Sequence, residues 1–200
     1  SEKMRGFLLL EDDYVLKGCK SNPVLLNLSN GARFDLEEGQ FEFLSLCNGK
    51  NTLDGVLSFY EEDSRAVARS FMENLVKRGV VRLTEKEGFR SLPAELPPDI
   101  GLQAVHLEAS SDCNLRCAHC YQGKIYSESG GLSSSEIERL AMDMREMLVQ
   151  GVSISGGEPF LQKDMFSTVK TFEDNEVRII SIFTNGILLD DEKSESILKL

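Results

Sequence analysis

The sequence predicts an α/β chain in two parts, a winged-helix-like α+β unit over residues 1–91 and an α/β unit over residues 102–200. Three observations support this division. Strand-like runs precede helical patterns in the first part, strand and helix patterns alternate in the second, and residues 91–99 hold three of the five prolines. Because proline fixes φ and removes a backbone donor, we expect residues 92–101 to form an extended linker.

Strand patterns begin the first part and are separated by turn residues such as Asn30-Gly31. The strand-like runs lie at residues 7–10, 14–18, 24–28, 32–36 and 80–83. Three helical patterns precede the last of these runs, at residues 37–47, 52–60 and 64–78. Small strands followed by three helices and a final strand are the pattern of a winged-helix-like unit.

Capping signals predict where these helices begin and end. Asn48-Gly49 is expected to end the first helix, and a Thr52 cap is expected to begin the second. Asp63 or Ser64 can cap the third helix. The buried face of the third helix is predicted from an i+4 repeat of Val67, Phe71 and Leu75.

Strand and helix patterns alternate in the second part. Strands are predicted at residues 104–108, 152–155 and 177–183, and helices are predicted to begin at residues 133, 161 and 190. The first helix starts with a capping box, and Gly151 is expected to close it. Its predicted apolar face consists of Ile137, Leu140, Ala141, Met144 and Leu148. The nearly continuous apolar run of the third strand is typical of parallel sheets covered on both faces, and it predicts an aggregation-prone edge if left uncovered.

The charge balance restricts the class of partner. The chain carries 22 basic and 33 acidic side chains, a net charge of −11. Such an acidic total argues against a nucleic-acid partner, because phosphate affinity depends on clustered Lys and Arg. The sequence has no signal peptide, and no apolar run approaches the roughly 18 residues of a membrane span, so we expect a cytoplasmic protein without a membrane partner.

Three of the five cysteines form a cluster that indicates a metal site. Cys113, Cys117 and Cys120 lie within eight residues, directly after a predicted strand. Three thiolates suit iron or zinc. Zinc would need His119 as a fourth ligand, and a redox pair of Cys117 with Cys120 would leave Cys113 unexplained. The separate Cys19 and Cys47 are interpreted as small core residues.

The CxxxCxxC loop and the Gly156-Gly157-Glu158-Pro159 run after the next strand together resemble the signature of radical S-adenosylmethionine (radical SAM) enzymes. The resemblance implies the first half of a partial (β/α)6 barrel. It also implies a 4Fe-4S cluster on the three clustered cysteines, with S-adenosylmethionine on the remaining iron. A one-electron donor of flavodoxin or ferredoxin type would reduce the cluster, and the resulting 5′-deoxyadenosyl radical would abstract a hydrogen atom from the substrate.

The same resemblance implies a set of cofactor-binding residues. Glycines allow close backbone approach to a ligand, and a carboxylate can bind the ammonium group of S-adenosylmethionine. An imidazole one position before the last cysteine would contact adenine, and Tyr121 either packs nearby or lies in the core. The implied set is His119, Gly156, Gly157, Glu158, Thr184 and Asn185. Ordinary glycine turns at residues 156–157 and 184–186 remain the alternative. No residue is assigned as catalytic acid, base or radical relay.

The first part resembles the PqqD-like recognition element of enzymes that modify ribosomally made peptides. In that family the leader of the precursor peptide adds as a strand beside the third strand of the element, which corresponds here to residues 33–36, and lies against the third helix. Such binding suits an exposed sheet edge. The peptide-binding residues would be Arg33, Phe34, Asp35, Leu36, Arg65 and Arg69. A surplus of three positive charges on the predicted third helix favours an acidic leader, although a solvated charged face and a transcription-factor role remain alternatives.

These resemblances imply a radical SAM enzyme that binds a precursor peptide and forms a thioether or carbon–carbon crosslink. The alternative is a non-catalytic iron–sulfur or zinc protein whose winged-helix unit binds a regulator or DNA. The family builds about six βα units and its relatives often carry auxiliary clusters, as SPASM-type members do. Only three strands are predicted after residue 102. We therefore expect the chain to be part of a longer protein and to be inactive alone.

Overall fold

The computed structural model of the chain describes residues 6–97, 102–122, 131–162 and 164–197. The chain divides into two units, residues 1–101 and residues 102–200. Within the described ranges, no helix is long and apolar enough to cross a membrane.

Two small antiparallel sheets form the framework of the first unit. The strands are β1 (Phe7–Leu10), β2 (Tyr14–Cys19), β3 (Asn22–Asn27), β4 (Arg33–Asp35), β5 (Asn48–Thr52) and β6 (Val81–Thr84). One sheet has the order β5-β1-β6 and the other has the order β2-β3-β4. The mixed α+β character agrees with the prediction, while the winged-helix description stays a prediction.

Three helices cover these sheets. They are α1 (Glu38–Ser45), α2 (Leu53–Leu57) and α3 (Glu62–Lys77). The first packs on β2 and β3, and the third packs on α2 and β6. As predicted, the Thr52 side chain caps α2 by accepting from the backbone N–H of Gly55 at 3.2 Å. The fully buried side chains of these helices include Phe41, Phe43, Leu44, Leu53 and Met72.

The segment predicted to end the first helix is instead strand β5. Asn48 pairs with Leu9 and Thr52 pairs with Phe7, so this segment is held by β1. Gly49 adopts φ +87°, and a Cβ there would lie 2.9 Å from the Gly88 carbonyl carbon. Pairing with the distant strand β1 overrides the local turn signal, because tertiary context outweighs local strand and turn propensity.

Helix α3 begins two residues earlier than predicted, and its buried face is shifted so that it keeps Leu75 but leaves out Val67. Its N-cap is Glu61 rather than Asp63 or Ser64. Val67 is 72% exposed, and the buried side chains are Ala68, Met72 and Leu75. The earlier start adds two acidic residues, so residues 62–78 carry four basic and three acidic side chains, a surplus of one rather than three. This smaller surplus weakens the charge argument for an acidic leader, which stays a prediction.

The predicted linker lies partly on the first unit. Leu96 is buried, and the Lys20 backbone N–H donates to the Pro97 carbonyl at 3.2 Å. An apolar side chain and a strand-end donor thus hold residues 92–97, whereas the sequence pattern predicted an extended connector. Residues 98–101 of the predicted linker lie outside the described residues.

A parallel sheet flanked by helices forms the second unit, as predicted. Its strands are β7 (Ala104–Ser110), β8 (Gly151–Gly156) and β9 (Arg178–Ile182), in that order across the sheet. Its helices are α4 (Ser134–Glu146), α5 (Met165–Asp174) and α6 (Asp191–Ile197). The predicted end of the last helix, residues 198–200, lies outside the described residues. Helix α5 begins at an Asp164 cap, four residues later than predicted, because residues 159–161 form a 3-10 turn.

One face of this sheet forms the core, against α4 and α5. The core contains Leu107, Ala109, Ile137, Ala141, Met144, Val152, Ile154, Val169 and Phe172. Gly151 does not close α4 as predicted but is the first residue of β8. Leu148, predicted on the helix face, lies beyond the helix with φ +53° and allows the chain to turn into Val149. The chain turn between α4 and β8 is therefore made by a leucine in the left-handed conformation, rather than by Gly151.

Strand β9 pairs only with β8 among the strands described. Its side chains are half-buried or exposed, with Ile180 45% exposed, and Phe183 just beyond it is 57% exposed. The prediction of a strand covered on both faces is therefore wrong here, and the predicted apolar edge is present.

Candidate functional site

Three loops meet at the carboxyl ends of the parallel strands. The cysteine loop (residues 111–122) follows β7, the glycine loop (residues 156–158) closes β8, and the third loop (residues 184–186) follows β9. Because parallel strands end at the same edge of a sheet, loops at that edge commonly build ligand sites. Direct hydrogen bonds join these loops to one another.

The cysteine loop presents three reduced thiols. Cys113 and Cys120 are half-buried, Cys117 is exposed, and none is in a disulfide. The Cys120 backbone N–H donates to the Cys117 carbonyl at 3.2 Å. No group of three His, Cys, Asp or Glu residues in the described ranges is arranged to hold a metal ion. The donor chemistry, three available thiols on one loop, nevertheless fits an iron–sulfur cluster with one iron free of protein ligands.

Two cysteines of the first unit are structural. Cys19 and Cys47 are buried, as predicted. Burial raises the pKa of the Cys47 thiol to about 12, so this thiol stays protonated and unreactive at neutral pH. The exposure of the loop cysteines sets them apart from this pair.

Gly156 and Gly157 allow the glycine loop to touch the cysteine loop. A Cβ on Gly156, whose φ is +135°, would lie 2.1 Å from the Ser110 carbonyl oxygen, and a Cβ on Gly157 would lie 2.1 Å from that of Asp112. The Gly157 N–H donates to Ser110 at 2.7 Å. The close approach that requires glycine is therefore made to the backbone before Cys113, whereas the sequence argument assigned it to a ligand.

Glu158 is fully buried and its carboxylate is held by three donors. Oε1 accepts from the Phe160 backbone N–H at 3.0 Å and from Thr184 Oγ1 at 2.7 Å. Oε2 accepts from the Asn185 backbone N–H at 2.8 Å. The Glu158 backbone N–H donates to the Asp112 carbonyl at 2.7 Å. Four of the predicted cofactor residues, Gly157, Glu158, Thr184 and Asn185, are thus connected, and Gly156 adjoins them.

The third loop also reaches the cysteine loop through a pair of amides. Asn185 Nδ2 donates to Asn114 Oδ1 at 2.7 Å. Sequence reasoning did not single out Asn114, whose only signal is its position directly after Cys113. His119 lies in the cysteine loop and is exposed, and the hydrogen bonds described above between the three loops do not involve it.

On the second face of the sheet, β7 carries exposed polar side chains, and Phe183 packs on one of them, His106. His106 and Glu108 alternate with the core residues of β7 and point away from the helices. His106 Nε2 hydrogen-bonds Ser155 Oγ, and the Tyr121 hydroxyl donates to Glu108 Oε1 at 2.9 Å. Partial desolvation and this hydrogen bond raise the pKa of Tyr121, which is exposed rather than in the core. The polar alternation along β7 could have predicted this face.

The predicted peptide-binding residues lie in two groups with different partners. In β4 the Arg33 guanidinium pairs with Asp35 at 2.9 Å, and Phe34 is 42% exposed. Leu36 donates its backbone N–H to the Pro23 carbonyl at 2.8 Å. On α3, side chains turn toward α2: Arg65 donates to the Tyr60 carbonyl at 2.9 Å, and Arg69 pairs with Asp54 at 3.1 Å.

Sequence comparison finds relatives of the second unit. Residues 107–200 match the family model of the Radical SAM superfamily. The chain is 34% identical over 90 residues to a probable GTP 3′,8-cyclase of Methanococcus maripaludis, covering 44% of the chain and 30% of that protein. The corresponding protein of Methanocaldococcus jannaschii is 31% identical over 91 residues. The chain therefore spans less than a third of the length of these curated relatives.

Structure comparison extends the similarity to both units. The crystal structure of Streptococcus suis SuiB bound to precursor peptide SuiA matches 96% of this chain and 46% of that chain, with a TM-score of 0.64 and 19% identity. SuiB bound to S-adenosylmethionine matches with a TM-score of 0.56 and 20% identity. At this identity the match shows a shared fold. By sequence, residues 107–200 of the second unit therefore match the Radical SAM superfamily, and the cofactors of that superfamily are a 4Fe-4S cluster and S-adenosylmethionine.

Proposed function

We propose that this chain belongs to a radical SAM enzyme that modifies a ribosomally made peptide, recognised through a PqqD-like first unit. One observation carries the proposal: the cysteine loop and the glycine loop are hydrogen-bonded together at the strand ends of a chain whose other unit exposes a sheet edge. A flavodoxin- or ferredoxin-type electron donor and a cytoplasmic location belong to the same proposal.

The cysteine loop would hold the cluster through Cys113, Cys117 and Cys120. When bound, the cluster and S-adenosylmethionine supply one-electron cleavage and hydrogen-atom abstraction, and a thioether or carbon–carbon crosslink is the product class we favour. The protein's task is to orient these groups and to exclude water. His106, Glu108 and Tyr121 line the open face of the sheet beside them and would contact the part of the peptide that reacts.

Strand β4 is suited to receive the leader. It pairs with β3 on one side only among the described strands, and its three side chains are exposed. Backbone hydrogen bonds run from the Asn27 N–H to the Ala32 carbonyl and from the Leu36 N–H to the Pro23 carbonyl. Alternation in an antiparallel ladder therefore directs the Phe34 backbone toward β3. The N–H groups of Arg33 and Asp35 then face the open edge, where an added strand would bind.

A nucleotide-modifying enzyme is the second candidate, because the curated relatives at 34% identity are named probable GTP 3′,8-cyclases. That match covers 44% of the chain. The likeness to SuiB extends over 96% of the chain, and SuiB is bound to a precursor peptide. The broader coverage is why we favour a peptide substrate.

Leader binding can be tested at the open edge. Asp35→Pro removes an outward N–H while leaving the β3–β4 ladder intact, and Asp35→Ala is the matched control because it removes only the exposed ion pair. With a fluorescently labelled candidate precursor peptide that binds the wild-type chain, we expect affinity to fall about tenfold in Asp35→Pro and to stay within about twofold in Asp35→Ala.

Equal affinity of the two variants would refute strand addition at this edge. Titration with GTP under the same conditions tests the second candidate, a nucleotide-modifying enzyme. Tight GTP binding without peptide binding would favour a nucleotide substrate instead.

A further inference from the structure

We propose that Asn114 and Asn185 form an amide clasp, anchored by buried Glu158, that positions the first cluster ligand, Cys113. The proposal extends the proposed function, because it concerns how the chain holds a cluster that the function requires. It gives Glu158 the role of a positioning residue that acts through Asn185.

The buried carboxylate is the anchor of the clasp. Glu158 is 0% exposed, and both of its oxygens already accept from protein donors, one of them the Asn185 backbone N–H at 2.8 Å. Thr184 donates to the same carboxylate at 2.7 Å, so two consecutive residues of the third loop are fixed to it. Buried charge-assisted hydrogen bonds of this kind are strong and geometrically restrictive.

The clasp connects the third loop, which Glu158 fixes, to the cysteine loop. The Asn185 side chain extends from the anchored backbone and donates to Asn114 Oδ1 at 2.7 Å. Asn114 directly follows Cys113, and Asp112 on the other side of that cysteine accepts from the Glu158 N–H at 2.7 Å. Both neighbours of Cys113 are therefore tied to one residue, Asp112 by the Glu158 backbone and Asn114 by Asn185, which is bonded to the Glu158 carboxylate. Groups that orient metal ligands in this way typically change metal affinity by about 10- to 100-fold when removed.

Hydrogen exchange in the cluster-free chain tests the clasp itself. Asn114→Ala and Asn185→Ala should each raise backbone exchange across residues 111–117 by about fivefold, the effect of one lost hydrogen bond on local opening. The double variant should match either single variant, since both remove the same bond. Asn175→Ala removes an amide that donates to Thr171 at 2.8 Å at the end of α5, and should leave this segment unchanged.

Conservative variants distinguish a hydrogen bond from general packing. Asn114→Asp keeps an acceptor for the Asn185 amide and should retain protection, whereas Asn114→Leu has a similar size but no acceptor and should lose it. Equal effects of these two variants, or unchanged exchange in both alanine variants, would overturn the clasp.

The rate of iron release tests whether the clasp helps to hold the cluster. In the anaerobically reconstituted chain, a chelator should withdraw iron about tenfold faster from Asn185→Ala than from wild type or Asn175→Ala. Altered exchange with unchanged iron release would overturn the positioning role. A wild-type chain that loads no iron would overturn the proposed function along with that role, while the exchange result would still decide whether the clasp exists.

Discussion

At the strand ends, one position has room only for glycine. Gly157 packs against the backbone that precedes Cys113, and a Cβ there would lie 2.1 Å from the Asp112 carbonyl oxygen and 2.5 Å from its carbon. Backbone atoms cannot move aside as a flexible side chain can. The contact therefore explains why glycine is required at this position, without invoking a ligand.

We expect Gly157→Ala to lower the free energy of unfolding of the second unit by about 2 kcal/mol, through this clash. Gly39→Ala is the matched control, because Gly39 lies in α1 with nothing within 4 Å of a Cβ. That variant should be neutral or stabilising by up to about 1 kcal/mol. Urea denaturation followed by circular dichroism measures both changes, and equal stability of the two variants would contradict the steric account.

At this scale the sequence predicts residue types better than contacts. The cysteine and glycine motifs were recognisable because their spacing is local. The structure places five of the six predicted cofactor residues in or beside the hydrogen bonds that join the loops, and His119 outside them. The burial of Glu158 and the contact of Asn114 with Asn185 were not predictable. The hydrogen bonds from Thr184 to Glu158 and from Asn185 to Asn114 join residues that are 26 and 71 positions apart, and a single sequence carries no local signal for such pairs.

Among the elements, α4 shows a capping box that the sequence predicts correctly. The Ser133 hydroxyl accepts from the Glu136 backbone N–H at 3.3 Å, while the Ser133 backbone N–H donates to the Glu136 carboxylate at 2.8 Å. We expect Ser133→Ala to lower the free energy of unfolding by about 1 kcal/mol at neutral pH. Ser134→Ala, one residue inside the helix and outside the capping box, should change it by about half as much or less.

This cap should also weaken in acid. Hydrogen bonds from the Ser133 hydroxyl and then its backbone hold the pKa of Glu136 below its ordinary value of 4.5. A carboxylate whose pKa is lowered by folding stabilises the folded state above its ordinary pKa, and that contribution is lost as the pH falls through the lowered value. The difference between wild type and Ser133→Ala should therefore shrink below about pH 4 in urea titrations. A constant difference from pH 7 to pH 3 would rule out the carboxylate's part in the cap.

The sequence predicted helices and strands correctly where the apolar pattern of a segment matches the face that tertiary packing buries. The parallel strands and α4 were predictable because apolar periodicity matches the buried face. Strand β5 was not, because Asn48-Gly49 is a strong turn signal that only pairing with β1 overrides. The shifted face of α3 has the same origin, since α2 and β6 decide which side is covered.

On the scale of the whole molecule, two units serve one proposed reaction. Among the described strands, β4 of the first unit has one unpaired edge, where the proposal places the leader. In the second unit, two strand-end loops are hydrogen-bonded to the cysteine loop. An acidic chain of net charge −11 fits a peptide substrate better than a polyphosphate or nucleic acid, which favours clustered Lys and Arg.

The most direct test of this account is electron paramagnetic resonance of the anaerobically reconstituted, reduced chain, recorded with and without S-adenosylmethionine. We predict about four iron atoms per chain and a spectrum that changes when S-adenosylmethionine is added, because three cysteines leave one iron open. Cys117→Ala should lose the signal, and Cys19→Ala should keep it, since Cys19 is a buried residue of the first unit. Zinc in place of iron, or a spectrum that S-adenosylmethionine leaves unchanged, would contradict the account.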